Sequence, residues 1–199
     1  EEKFFSERYS NLEVIELYNS LVETCGENVG IQLAEVFEFS DIGLFGEIIS
    51  RTLNLEQMIK LMSVFQNYLC KELSISVVKV DLGTAIRFKF KTSDYKTVEK
   101  QVFDFHLFVF LKYIKEFFPK KVFPFQVNLN YPPPSDITAY EKFPVKFEFN
   151  HANCELFVSE NHMRTKSENF LESSFSFYKR ELISFFAKEE VLLDELTEY

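Results

Sequence analysis

The residues equipped for chemistry are few and widely spread. His151, Cys154 and His162 stand as H-x2-C-x7-H, and imidazoles with a thiolate are zinc ligands, but a closed zinc site needs a fourth ligand and none is evident. Read as a turn histidine, a buried thiol and a loop histidine, the three need no metal. His106 lies alone in the most apolar stretch of the chain, with Val102, Val109 and Tyr113 on the same stripe. A haem ligand and a core histidine bonded to a neighbour both fit that position, and a lone histidine favours the second. Adjacent acids such as Glu189 and Glu190 read as solvated helix charges. No G-x-S-x-G or H-E-x-x-H occurs, and 5 glycines in 199 residues leave little for phosphate-cradling loops. Cys25, Cys70 and Cys154 are an odd number with no C-x-x-C pair, which speaks against a disulfide framework and for a reducing compartment. The expectation is no catalytic residue, no metal and no other cofactor.

The elements that must position these side chains follow from hydrophobic period. Val14, Ile15, Tyr18, Val22 and Cys25 fall at helical spacing, with Gly26 placed to end the helix, and a short helix covers about Ile31 to Phe37. DIGLFGEIISRT from Asp41 is apolar on one side. Asn54 and Gln57 resemble a capping box opening a helix whose stripe is Leu55, Met58, Met62, Phe65 and Leu69. At Ser74 the period changes to two: SISVVKV and AIRFKFK, separated by Asp81, Leu82 and Gly83, predict a β-hairpin. Ser93 is placed to cap a helix over about Asp94 to Phe118, which Pro119 ends. Phe103, Leu107, Phe110, Ile114 and Phe117 form its stripe, widened by Val102, Val109 and Tyr113, so other elements must bury it.

A strand over about Phe123 to Tyr131 follows, then a stop at Pro132, Pro133 and Pro134, and a short helix from Ser135 to Phe143. VKFEF and CELFV predict a strand pair turning at His151 to Asn153, and a last helix runs from about Ser167 to Lys188. The pattern predicts an α+β fold, with an N-terminal helical layer packed with an antiparallel β-sheet, a long buried central helix and a C-terminal helix. Residues 1–166 form the α+β domain, and 167–199 a C-terminal amphipathic helix.

Twenty-two basic against 31 acidic residues give a net charge of −9, a field that repels phosphate and argues against autonomous nucleic-acid binding. The chain holds 25 Phe, 9 Tyr and no Trp, large flat side chains that fill a core or line an apolar cavity. Between the helical layer and the sheet such a cavity would take a small organic molecule with substantial apolar surface. His106, Phe110 and Tyr113 are its candidate ligand-binding residues. Val102 to Phe118 contains Asp104, His106, Lys112, Lys115 and Glu116, so no membrane span is expected. Without a charged-then-apolar leader, a cytoplasmic protein is expected.

Two segments resemble a known family together. DIGLFGEIISRTLNLEQMIKLM resembles the N-terminal effector domain of bacterial AraC/XylS-type transcription regulators, in the variant with a so-called arabinose-binding domain; Gly43, Gly46, Asn54, Leu55 and Gln57 occupy its G-x-x-G and helix-start places. About ninety residues on, YPPPSDITAYEKFPVKF is similar to that family's second segment through Tyr131, Pro134, Tyr140, Phe143, Pro144, Val145 and Phe147. The family's Gly-Cys ahead of Pro-Val is absent here, and its closing Pro-Leu is replaced by Lys166 and Ser167.

The resemblance implies a non-enzymatic domain that binds an effector and forms a homodimer, while a C-terminal pair of helix-turn-helix motifs reads DNA. Residues 167–199 predict one helix and an acidic end without a basic cluster, so DNA would be contacted only through a further domain outside this chain. A haem- or lipid-sensing domain of another class is the alternative. Leu171, Phe175, Tyr178, Leu182 and Phe185 step 4, 3, 4, 3 along the last helix, and Leu192 and Leu196 resume after Glu189. That stripe is a dimer seam or packs on the chain's own sheet; the family resemblance favours the seam.

Overall fold

The computed structural model describes residues 10–69, 73–81, 83–119 and 121–188, and among these the side chains of 65–69 and 186–188 are not described. The expectations for Phe65, Leu69, Cys70, Leu82, Glu189, Glu190, Leu192 and Leu196 lie outside the described residues or side chains.

Local sequence sets the helix ends. Helix α1 (Asn11–Cys25) opens on a reciprocal cap, in which Glu13 N donates to Ser10 Oγ at 3.3 Å and Ser10 N to Glu13 Oε2 at 2.6 Å. It closes at Gly26, whose φ of 88° suits a residue without a Cβ. Helix α2 (Val29–Val36) runs against the later helix α5 (Glu99–Phe117). Gly30 makes that approach possible: a Cβ there would lie 2.1 Å from the Gln101 carbonyl oxygen. After a 3₁₀ turn (Phe39–Ile42) come α3 (Leu44–Ile49) and α4 (Leu55–Leu69). Asn54 Oδ1 accepts from Gln57 N at 2.9 Å, while Gln57 Oε1 accepts from Leu53 N at 2.7 Å, so the box closes one residue early.

Strands β1 (Leu73–Val80) and β2 (Gly83–Phe90) form the expected hairpin, paired from Leu73 opposite Phe90 to Val80 opposite Gly83. Ser93 makes no side-chain cap: a 3₁₀ turn (Asp94–Thr97) comes first, and α5 starts at Glu99. Strands β3 (Gln126–Asn128), β4 (Lys146–Glu148) and β5 (Cys154–Val158) are short, and helices α6 (Glu160–Met163) and α7 (Glu172–Lys188) complete the described chain. Only the 3₁₀ turn Tyr140–Lys142 appears where a helix over 135–143 was expected.

The fold is α+β, as the sequence predicts, but its five-stranded sheet is mixed rather than antiparallel. The strand order is β1-β2-β5-β3-β4, with β3 and β4 parallel. The connection between them carries a helical turn and brings the chain back in the same direction, the usual requirement of a parallel pair. VKFEF and CELFV are therefore not a hairpin. After β4 the chain crosses the end of β3, where Asn150 N donates to Tyr131 O at 3.0 Å and His151 N to Leu129 O at 2.9 Å. It then enters β5 on the far side, between β3 and β2.

The core lies around α5. Phe103 meets Phe88 and Phe90 of the sheet edge to face, and Phe108 stacks on Phe147. Phe110, Leu111 and Ile114 are buried with Ile48, Leu55, Met58 and Ile59 of the helical layer. Each such side chain contributes roughly 1.5–3 kcal/mol by leaving water.

Candidate functional site

Strand β5 begins opposite Phe88, so the last residues of β2, Lys89 and Phe90, pair with β1 alone. The turn before α5 and the loop before β5 flank this uncovered end and leave a cleft of about 310 Å³. Phe88, Phe90 and Tyr95 line its apolar side, with Phe90 and Tyr95 stacked at 5.0 Å between ring centroids. Lys89 and Lys96 border it as exposed cations. Neither ammonium has a hydrogen-bond or ion-pair partner among the described residues.

Glu99, Asn130 and Cys154 line the less exposed part of the cleft as a hydrogen-bonded chain. Asn130 Nδ2 donates to Glu99 Oε1 at 2.9 Å, and Cys154 Sγ donates to Asn130 Oδ1 at 3.0 Å. Burial pushes the Cys154 thiol up to about 12, helped by the neighbouring acids. At neutral pH it is a protonated donor, not a nucleophile.

Asn130 is followed by Tyr131, whose hydroxyl belongs to a second, fully buried cluster. Asp104, 0% exposed, accepts from Tyr131 Oη at 2.5 Å and from Lys100 Nζ at 2.8 Å. Tyr140 Oη reaches both of its oxygens, at 2.8 and 2.9 Å. Lys100 also donates to the Glu27 carbonyl at 2.6 Å and lies 5.7 Å from the centre of the Tyr131 ring. Desolvation pushes the Asp104 carboxyl above the usual aspartate range, against the pull of Lys100 and the two phenols. Burial and the Asp104 charge hold Tyr131 and Tyr140 well above ordinary phenol values, so both remain donors. The cluster ties both flanks of the triple-proline loop to α5 and to the α1–α2 connection. Its groups satisfy one another, which makes it a structural clasp.

The sequence-predicted ligand residues do not share a cavity. His106 shares a hydrogen bond with the Val102 carbonyl through Nδ1 at 2.7 Å, and desolvation lowers its pKa. Phe110 is 1% exposed within the core. Tyr113 is equally buried, its hydroxyl bonded to Thr52 Oγ1 at 2.8 Å and to the Ile49 carbonyl. An effector was expected between the helical layer and the sheet; the described void beside the sheet, against α5, is about 10 Å³, at most the space of one water. Phe-rich packing fills that interior, and the open volume lies at its edge instead.

His151, Cys154 and His162 are not brought together. His151 pairs with Glu148, His162 Nδ1 lies 3.2 Å from the Phe123 carbonyl, and Cys154 bonds Asn130. No group of three metal-ligating side chains forms among the described residues. On α7, Phe175 is 7% and Leu182 0% exposed, both within the chain's own core, with Tyr178 and Phe185 packed beside them and α3 as neighbour. Leu171 is exposed at 58%. No described helix is long and apolar enough to cross a membrane.

The residues that sequence reasoning missed are Glu99, Lys100, Asp104 and Asn130. Lys100 and Asp104 are one helical turn apart, a spacing that signals an ion pair; nothing local marks Asn130. Tyr131 and Tyr140 were marked through the family resemblance, without their role.

Residues 6–167 match the family described as the arabinose-binding domain of AraC transcription regulator, N-terminal. The fold is similar to that of the transcriptional regulator CdpR from Pseudomonas aeruginosa, with a TM-score of 0.68 and 15% sequence identity. The match covers 86% of this chain and 56% of CdpR, so the chain spans little more than half that protein's length. No curated relative matches the sequence.

Proposed function

Since the chain belongs to the family of N-terminal arabinose-binding domains of AraC transcription regulators, we propose that it is the effector-sensing half of such a regulator, working in the cytoplasm. The family match over most of the chain carries this reading, and the open cleft supports it by offering a small molecule a seat. A ligand there would touch the hairpin, the start of α5 and the loop before β5 at once, so its binding energy can bias how these three segments sit. Asn130 joins the cleft to the clasp through the next residue, Tyr131.

The chain acts by binding rather than catalysis. DNA is read by a helix-turn-helix pair outside it, which fits the net charge of −9. Two copies pair to address two half-sites. Phe175 and Leu182 are occupied in the chain's own core, so the pairing surface is the outer face of α7, where Phe177 is exposed at 48%, together with Leu171 just before the helix, exposed at 58%.

Sequencing the gene past Tyr199 tests the reading. A regulator continues into two helix-turn-helix motifs; a reading frame that stops, or that enters an unrelated domain, overturns it.

A further inference from the structure

Phe90 and Tyr95 have two sets of neighbours. They line the cleft, and they also belong to a small apolar cluster, separate from the main core, in which Tyr95, Val98 and Val102 pack with Phe90 and with Val14, Ile15 and Tyr18 of α1. The two rings stack at 5.0 Å, and Tyr95 Oη donates to Asn11 Oδ1, in the first turn of α1, at 3.1 Å. The wall of the cleft is thus also the seat of α1.

That seat holds the helix lightly. None of the 15 residues of α1 is buried, whereas the shorter α2 buries Val29, Gly30, Ile31 and Ala34. Leu12 and Leu17 of α1 are exposed at 63% and 56%. A helix with so few buried contacts opens at a lower free energy than the core it rests on.

We propose that the cleft controls the docking of α1. An occupant that packs on Phe90 and Tyr95 fixes the two rings and raises the population in which α1 is docked; without that packing, α1 and Tyr95 release together more often. Phe90 is tied to the main core through Phe103, 5.1 Å away edge to face, so Tyr95, carried on the short turn before α5, is the ring that moves with the helix. The coupling is reciprocal: a docked α1 keeps the wall of the cleft formed. It adds an output to the sensing reading, a change in the surface the chain presents, and its use rests on that reading, but the coupling itself is testable without an effector.

Cys154 supplies the reporter. It lines the cleft with its thiol buried and protonated, so its alkylation by iodoacetamide follows opening of the wall. The exposed Cys25 and Cys70 are first replaced by Ser. In that background Ile15→Asp puts a charge into the seat of α1, and Leu17→Asp puts the same charge on its exposed side. Ile15→Asp should speed both amide hydrogen exchange of α1 and alkylation of Cys154 by about tenfold or more, with exchange of α5 unchanged. Leu17→Asp should leave alkylation at the parent rate. In the reverse direction, Ala152→Cys at the exposed rim of the cleft carries a phenethyl group as a mixed disulfide, its position checked by peptide mass. The tethered ring should slow exchange of α1 several-fold, and reduction should restore the rate.

The proposal is overturned if Ile15→Asp frees α1 while Cys154 keeps its parent alkylation rate, if Leu17→Asp acts as strongly as Ile15→Asp, or if the tethered ring leaves exchange of α1 unchanged. Should circular dichroism show Ile15→Asp to be unfolded, Ile15→Ala takes its place under the same criteria. A failed coupling in a gene that encodes the helix-turn-helix pair would sink this inference and leave the sensing reading standing. An intact coupling in a gene without the pair would do the reverse.

Discussion

Replacing Asp104 by Ala removes the acceptor on which three donors converge. Tyr131 and Tyr140, 8% and 2% exposed, have each other in reach, so one of the two hydroxyls would be left without an acceptor, and Lys100, with 17% of its side chain exposed, would lose its counter-ion. A buried donor left unsatisfied costs about 1–3 kcal/mol. The lysine adds less, because it retains the Glu27 carbonyl and some access to water. The expected loss is about 3 kcal/mol, a large share of a typical domain stability of about 5–15 kcal/mol. For a chain of this size it corresponds to a melting temperature lower by about 6–12 °C. Urea denaturation and calorimetry of wild type, Asp104→Ala, Tyr140→Phe and the double variant measure both the loss and the coupling between the two residues. Tyr140→Phe alone should cost about 1.5–3 kcal/mol, and much less once Asp104 is gone. An Asp104→Ala loss below about 1 kcal/mol, or additive single effects, would refute the clasp.

The raised pKa of Asp104 fixes a pH dependence. The folded chain holds this proton more tightly than the unfolded chain, so stability falls as pH rises from about 4 to the folded value and levels off above it. Asp104→Asn should remove that slope in urea titrations, and parallel curves for the two proteins would contradict the direction. Leu182→Lys places a charge at a position 0% exposed in the monomer and should unfold or strongly destabilise the chain, whereas Phe177→Ala should leave the melting temperature within a degree or two. Calorimetry with sedimentation decides: a folded, monomeric Leu182→Lys protein would put that residue at a subunit seam instead. Gly30→Ala must push α2 away from the Gln101 carbonyl and should cost about 1–3 kcal/mol, the range for overpacking, read from the shift in urea midpoint.

What the sequence revealed follows the range of the interactions. The start of α4 was legible in Asn54 and Gln57, and the β1–β2 hairpin in its alternation, because partners three or a few residues apart carry the signal. The β4–β5 pairing was misread because β3, from a segment some twenty residues earlier, inserts between them. The stripe on α7 was recognised as apolar, but a 3.5-residue period does not say which apolar surface it meets. Phe45, Ile48 and Ile49 of α3 offer one within the same chain. A surplus of phenylalanine suggested a cavity, but among the described residues the void between α5 and the sheet is about 10 Å³. The cleft is formed by ordinary residues of β2, the turn before α5, Asn130 and the 152–154 loop, brought together only by the fold. Asp104 was visible only as a charge in an apolar helix, since its tyrosines stand 27 and 36 residues away.

Sensing and DNA reading are separated most directly by a mobility shift of promoter DNA with residues 1–199 alone and with the full-length product of the gene. We expect no specific shift from residues 1–199. The full-length product should give a specific shift whose affinity changes when the cleft is filled, and which stops responding in the Ala152→Trp variant. A salt-sensitive, sequence-specific shift by residues 1–199 alone would contradict the division between a sensing half and a separate DNA reader.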